Sequence, residues 1–315
     1  MTRTSPHLLT PLLPLLLAAC GDAGAGGADA DATGVVDTVA PGDSATADVD
    51  VDTTPDFATT PATVTVIALG VPGEPSALTR ASAILYPFAP APGHDVALVE
   101  GACRMLVRPN PFCDPACEPG ERCAPGDTCE PEPERAYAGA IALASDGVAM
   151  TLDEPSGWYY GDRSGDLAPA GAALTATAPG AAGFGAFSLS ATMPPPLVVP
   201  GVEALRFRAG APLVVAWTPA APGSRVRLRF ASDHGAHGLF YPLVVACDAP
   251  DEVGAITIPQ AMADALADRA NWGCGECPTQ TIQRYARATG TAANGEDVAL
   301  ELVREVGFYA NPGFD

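Results

Sequence analysis

Lysine is absent from the 315-residue chain, and all sixteen of its basic residues are arginine. Against 37 acidic residues this leaves a net charge of −21. Neutralising phosphates requires positive charge, so nucleic acid and anionic lipid are excluded as general partners. A phosphate-cradling Gly-rich loop with its lysine is therefore absent. Neither a Gly-x-Ser-x-Gly elbow nor a His-Glu-x-x-His pair occurs. Nor does any apolar run approach the roughly 20 residues that span a bilayer. The longest, Leu8 to Ala19, is broken by Pro11 and Pro14. These absences favour a non-enzymatic protein that needs no cofactor. The arginine-only basic set, with abundant Ala, Gly, Pro and Val, reads as the bias of a GC-rich genome.

The apolar run follows Arg3 and ends in Leu17-Ala18-Ala19-Cys20. A positive residue, a short apolar core and small residues form a secretory signal rather than a membrane helix. This stretch resembles the lipobox of bacterial lipoproteins. That resemblance implies export through the general secretory pathway, removal of residues 1–19, and acylation of Cys20. Two or more acyl chains anchor stably. The expected location is therefore the outer membrane or cell surface, the more so because glycine rather than aspartate follows the cysteine.

Residues 21–60 hold nine aspartates, no basic residue and one aromatic, Phe57. Such a segment cannot offset its ordering entropy by burial, and residues 20–60 are expected to form a disordered acidic tether. Asp48-Val49-Asp50-Val51-Asp52 alternates like a calcium loop but lacks the glycine turn and closing glutamate.

From Ala62 the chain alternates in short apolar runs punctuated by Gly and Pro, the texture of an all-β protein. The expectation is a mainly β chain of two immunoglobulin-like β-sandwich units, 61–198 and 199–315. The first carries a small disulfide-rich insertion at 103–130. Met193-Pro194-Pro195-Pro196 marks the seam, because proline cannot join a central ladder. A single short helix is expected after Pro259, with Met262 and Leu266 forming its apolar stripe.

With Cys20 set aside eight cysteines remain: Cys103, Cys113, Cys117, Cys123 and Cys129, then Cys247, Cys274 and Cys277. Exported cysteines are expected to pair. Both groups are odd in number, so full oxidation requires at least one bridge between the halves. Cys113 to Cys129 looks like a miniature EGF-type or knot-like module. Its expected pairing is Cys113–Cys123 with Cys117–Cys129, in preference to a zinc site. For Cys247 the expected partner is Cys274 or Cys277, rather than a redox role for Cys274-Gly275-Glu276-Cys277.

Three clusters could carry function. Asp233, His234 and His237 could hold a metal, which would make the chain a metal-dependent hydrolase of the envelope; a polar turn is the plainer reading. Asp248, Asp251 and Glu252 could bind calcium, with a solvated turn as the alternative. Arg225, Arg227 and Arg229 alternate with Val226, Leu228 and Phe230, and Arg206 and Arg208 alternate similarly. If these arginines line one sheet face, they could grip an anionic glycan or peptide carboxylates, or pair with Glu301 and Glu305. The partners expected are the membrane, through the lipid anchor, and an envelope glycan or protein.

Three segments also resemble a group of myxobacterial lipoproteins without an assigned activity. They are Cys103-Arg104-Met105-Leu106 with Phe112 to Cys117, then Val215-Ala216-Trp217-Thr218-Pro219, then Ala246-Cys247-Asp248 with Ile256-Thr257-Ile258-Pro259. The resemblance implies a location and an architecture, and no catalytic residues.

Overall fold

Strand after strand in this chain puts every second residue inward, and the computed structural model shows what those residues meet. It describes residues 52–69, 78–88, 94–107, 113–124, 126–154, 156–232, 243–267 and 280–308, all within one unit, Val49–Asp315. The first half contributes β1 (Ala62–Leu69), β2 (Leu78–Leu85), β3 (Asp95–Glu100), β4 (Cys103–Val107), β5 (Glu121–Ala124) and β6 (Thr128–Pro131). β7 (Ile141–Ser145), β8 (Val148–Leu152), β9 (Trp158–Ser164), β10 (Ala173–Ala178) and β11 (Phe187–Thr192) follow. Beyond the proline seam come β12 (Leu213–Ala216), β13 (Arg225–Ser232), β14 (Leu243–Pro250), β15 (Ala255–Ile258), α1 (Gln260–Ala267), β16 (Gln280–Thr291) and β17 (Asp297–Phe308). The protein is mainly β with one short helix among the described residues. That helix buries Met262, Ala263 and Leu266, the stripe read from its spacing.

A nine-stranded sheet in the order β3-β4-β14-β13-β16-β17-β1-β2-β9 carries the architecture. β1 and β17 run parallel and the other neighbours antiparallel. Its inner face bears two cores side by side. In one, Val64, Val66, Leu85, Tyr159, Leu300 and Leu302 pack with Ile141, Leu143, Leu174 and Phe187, which come from the four-stranded sheet β11-β10-β7-β8. In the other, Val226, Leu228, Phe230, Val245 and Ile282 pack with Leu213, Val215, Ile256, Ile258 and the α1 stripe.

The two halves expected from the sequence are thus joined in one sheet. β1, β2 and β9 extend it from β17, and β4 pairs with β14. The proline seam marks where the chain crosses from one core to the other, with Met193 in the first and Leu197 in the second. It does not separate two strand sets, because hydrogen-bonded pairing joins residues far apart in sequence.

Two buried arginines hold that crossing. Arg284 and Arg304 are register partners on β16 and β17. Arg284 is fully buried, and each of its N–H groups meets an acceptor. Its Nε lies 2.9 Å and its Nη2 2.9 Å from Asp251 Oδ1. It also donates to the carbonyls of Pro195 at 3.3 Å, Pro196 at 2.6 Å and Thr218 at 2.6 Å. Arg304 donates to Pro194 O at 3.1 Å, to Ala168 O and to Asp166 at 3.1 Å. Prolines crossing a sheet expose carbonyls with no ladder partner, and a buried unpaired carbonyl is costly. A planar fork of five donors answers several at once; a lysine has only three. Two cations directly opposite would repel, so each has its own carboxylate.

The described disulfides are Cys103–Cys247, Cys113–Cys123 and Cys117–Cys129. The bridge between halves required by parity is Cys103–Cys247, across 144 residues and between register partners on β4 and β14. Cys247 therefore pairs with Cys103 and not with Cys274 or Cys277. Strand pairing puts Cys247 directly opposite Cys103, whereas Cys274 and Cys277 lie outside the described residues. In the small module β5 and β6 form a hairpin tied by Cys113–Cys123 and Cys117–Cys129, the expected pairing. Its sulfurs come close enough for a metal site, but each is bonded to another sulfur.

Candidate binding face

The side of the sheet away from both cores is a surface nine strands wide. Side chains on it follow from register: Arg104 on β4, Asp248 on β14, Arg225, Arg227 and Arg229 on β13, and Gln283, Tyr285 and Arg287 on β16. Glu301 and Glu305 on β17, Ile84 and Arg80 on β2, and Trp158, Tyr160 and Asp162 on β9 complete the row. Alternation places the arginine stripe outward, as its spacing predicts.

The stripe is engaged. Arg225 Nε donates to Asp248 Oδ1 at 2.6 Å. Arg227 pairs with Glu301 at 2.9 Å, donates to Gln283, and lies 4.7 Å from the Tyr285 ring centre. Gln283 in turn donates to Glu305. Arg287 approaches the other oxygen of Glu301 at 3.8 Å. Arg229 is exposed and also has an interaction.

Asp248 is buried and its oxygens are occupied by Arg225, by the Tyr285 hydroxyl at 2.7 Å and by the Asp56 amide at 2.9 Å. Burial first, and then the neighbouring Asp248 charge, pushes the Tyr285 phenol well above the ordinary tyrosine range.

Much of this face is covered by the chain itself. Residues 52–60 lie across it as a strap, where the sequence reads as a disordered tether. Arg225 donates to Thr54 O at 2.8 Å; Arg287 donates to Asp56 Oδ2 at 3.3 Å, to Ala58 O at 3.2 Å and to Thr60 Oγ1. Phe57 lies under the Arg104 guanidinium, 4.3 Å from ring centre to cation. Asp52 and Asp56 each accept the amide two residues on, Asx turns that bend the strap onto the sheet. An acidic segment meeting a row of guanidiniums orders without an apolar core of its own. Disorder read from composition misses this, because it leaves out the surface the segment meets.

Replacing Arg287 by glutamine should therefore release the strap. Hydrogen bonds to a charged group are worth about 1.5–3 kcal/mol, so amide exchange at Asp56 and Ala58 should rise roughly 10- to 100-fold. Protection in β13 should stay as it is. An unchanged exchange rate at Asp56 would show that other contacts hold the segment.

The remaining candidates fare differently. Asp251 is buried in an ion pair and hydrogen bonds rather than standing in a solvated turn, while Glu252 is exposed. Asp251 binds Arg284 and the amides of Ala220 and Ala221 at 2.8 Å each, and Glu252 accepts the Gly223 amide at 2.7 Å. Leu205–Arg208 is not a strand. There Arg206 donates to the carbonyls of Glu203 and Leu205, while Phe207 packs edge-on against Phe230. Cys20, Asp233, His234, His237, Cys274 and Cys277 lie outside the described residues.

At the far end of the face the surface is open. Trp158 and Tyr160 on the outermost strand β9 are 58% and 51% exposed, with Ile84 directly opposite Trp158 on β2. Arg135 stacks on Trp158 at 4.1 Å and also lines an adjoining cleft of about 500 Å³ with Tyr86, Arg122, Glu132 and Glu134. Sequence reading misses this end; its one signal is Trp158 and Tyr160 flanking the inward Tyr159 at a period of two.

No protein-family model matches the chain, and neither does any curated protein. Among solved structures, one similar chain belongs to a 1.5-MDa bacterial ice-binding adhesin studied for its retention at the host cell surface. The two are 12% identical over 75% of each chain, with a TM-score of 0.19. A likeness of that size carries no argument about fold or function.

Proposed function

We propose that this is an exported, lipid-anchored protein of the outer membrane or cell surface, acting as a binding or structural module rather than an enzyme. The observation that carries the reading is the strap. The acidic segment that follows Cys20 ends in a clamp made by Arg104, Arg225 and Arg287. Load on an N-terminal anchor then falls on a nine-stranded sheet rather than on the first residues of β1. Oxidised cysteines support an exported chain, since disulfides persist outside the reducing cytosol. The carboxylates beneath the strap are taken up in ion pairs and hydrogen bonds, as suits a scaffold.

From the immunoglobulin-like expectation we retain a sandwich scaffold whose surface carries the contacts. Its partners in this reading are the membrane and an envelope glycan or protein. The arginines Arg225 and Arg227 serve the strap and its network, so a ligand is better sought elsewhere on the face.

Changing Cys20 to serine tests the anchor. The variant should still be exported but should move from the membrane pellet to the soluble fraction, and should no longer take up a labelled palmitate analogue. Continued membrane residence without the label would overturn the lipid-anchor reading.

A further inference from the structure

We propose that the outer face of β2 and β9 binds a neutral saccharide, with Trp158 and Tyr160 as its stacking platform. This deepens the reading of a binding module by naming the class of ligand and where it sits.

The rings are held in place before any ligand arrives. Tyr160 donates its hydroxyl to Asp162 Oδ2 at 2.8 Å, and Asp162 is held from β2 by Arg80 at 3.2 Å. The Arg80 guanidinium also lies 5.7 Å from the Tyr160 ring centre. Arg135 covers one side of the Trp158 ring, and the residue remains more than half exposed. Gly157 brings the chain into β9 with φ 75°, and a Cβ there would sit 3.0 Å from the Ala136 carbonyl oxygen. The start of β9, and with it Trp158, is therefore fixed by backbone packing. Rigid aromatic side chains offer contact area at little cost in entropy, and a preorganised one costs still less.

The chemistry of the surface selects the ligand. Trp158 and Tyr160 stand about 6–7 Å apart along one strand, with Ile84 beside the first. Between and around them are the donors Arg80 and Arg135, the acceptor Asp162, and Ser82, whose hydroxyl does both. A wholly apolar partner would strip water from the hydrogen-bonding capacity these groups have left over, at a cost of about 1–3 kcal/mol for each one left unfilled. A pyranose chain presents C–H faces to aromatic rings and a rim of hydroxyls to guanidiniums and carboxylates.

Charge argues for a neutral chain. Arg80 is paired with Asp162, Arg122 with Glu130 at 3.6 Å, and the cleft sets Arg122 and Arg135 against Glu132 and Glu134. A polyanion or an acidic peptide would find no excess of cations here. The cleft adjoins the platform through Arg135, so an oligosaccharide lying along β9 has a polar pocket at one end.

The test uses the mature full-length chain, titrated with linear oligosaccharides of glucose and of N-acetylglucosamine about six units long, and with phosphatidylglycerol vesicles. Saturable binding of an oligosaccharide is expected. Trp158→Ala should weaken it at least about tenfold, the scale of a buried aromatic anchor. Trp158→Phe should keep most of it, and Arg227→Gln all of it. Stacking on rings is insensitive to salt, whereas a grip by exposed arginines is screened.

Absence of binding to both oligosaccharides, or binding that Trp158→Ala leaves unchanged, overturns the proposal. So does loss of vesicle binding alone in that variant, which would make the platform a membrane contact. These outcomes are independent of the Cys20 fractionation, so failure here and failure of the anchor are told apart.

Discussion

Replacing Asp251 by alanine should lower the free energy of unfolding by about 3–5 kcal/mol, the cost of leaving one member of a buried ion pair alone. Arg284 would then keep its charge at essentially zero exposure, and its remaining acceptors, the carbonyls of Pro195, Pro196 and Thr218, carry no formal charge. The amides of Ala220 and Ala221 would lose their acceptor as well. Urea denaturation reads the effect as a drop in midpoint at unchanged slope.

The double variant Asp251→Ala with Arg284→Met should lose less than the two single changes added together, because removing both charges leaves none stranded. A loss below about 1 kcal/mol in Asp251→Ala would mean that water or another group takes over the guanidinium, and the clamp on the proline crossing would be minor. The pair sits where the two cores meet. Both should therefore weaken together rather than one melting first.

Removing the bridge between Cys103 and Cys247 is expected to cost about 2–5 kcal/mol. On loop entropy alone a 144-residue separation approaches the top of that range, at about 5 kcal/mol. Alanine at both positions is the suitable change, since both sulfurs are buried and serine would place hydroxyls in the core. The measurement is thermal or urea unfolding of the double variant beside the wild type under non-reducing conditions. A variant as stable as the wild type would show that the β4–β14 ladder alone sets the position of β4. The loops closed in the small module are short, with separations of 10 and 12. Its bridges should matter locally, holding a hairpin that has little apolar surface of its own.

Parts of this architecture are legible from residue order. The alternation of Arg225 to Phe230 assigns Val226, Leu228 and Phe230 to the core and the arginines to the opposite face, and the sheet does both. Met262 and Leu266 are four apart after a proline, and they form the buried stripe of α1. Glu301 and Glu305 are legible as partners for the stripe: Arg227 reaches the first directly and the second through Gln283. The odd cysteine count in each half demands a crossing bridge, though it leaves open which cysteine crosses. Leu205 to Arg208 shows the limit of alternation, for a pattern four residues long forms no strand when no neighbour is placed to pair with it.

What the chain by itself determined is its β texture, its single described helix, the disulfide-rich module and the need for a disulfide across the seam. All of these depend on local spacing or on counting. Tertiary structure alone decided that both halves share one sheet, that Arg284 is buried while Arg229 is exposed, and that residues 52–60 lie down on the arginine face. The reason is that period-two alternation tells which side chains share a face. Whether that face meets water, a carboxylate or the chain's own acidic segment depends on strands and strap brought together across more than a hundred residues.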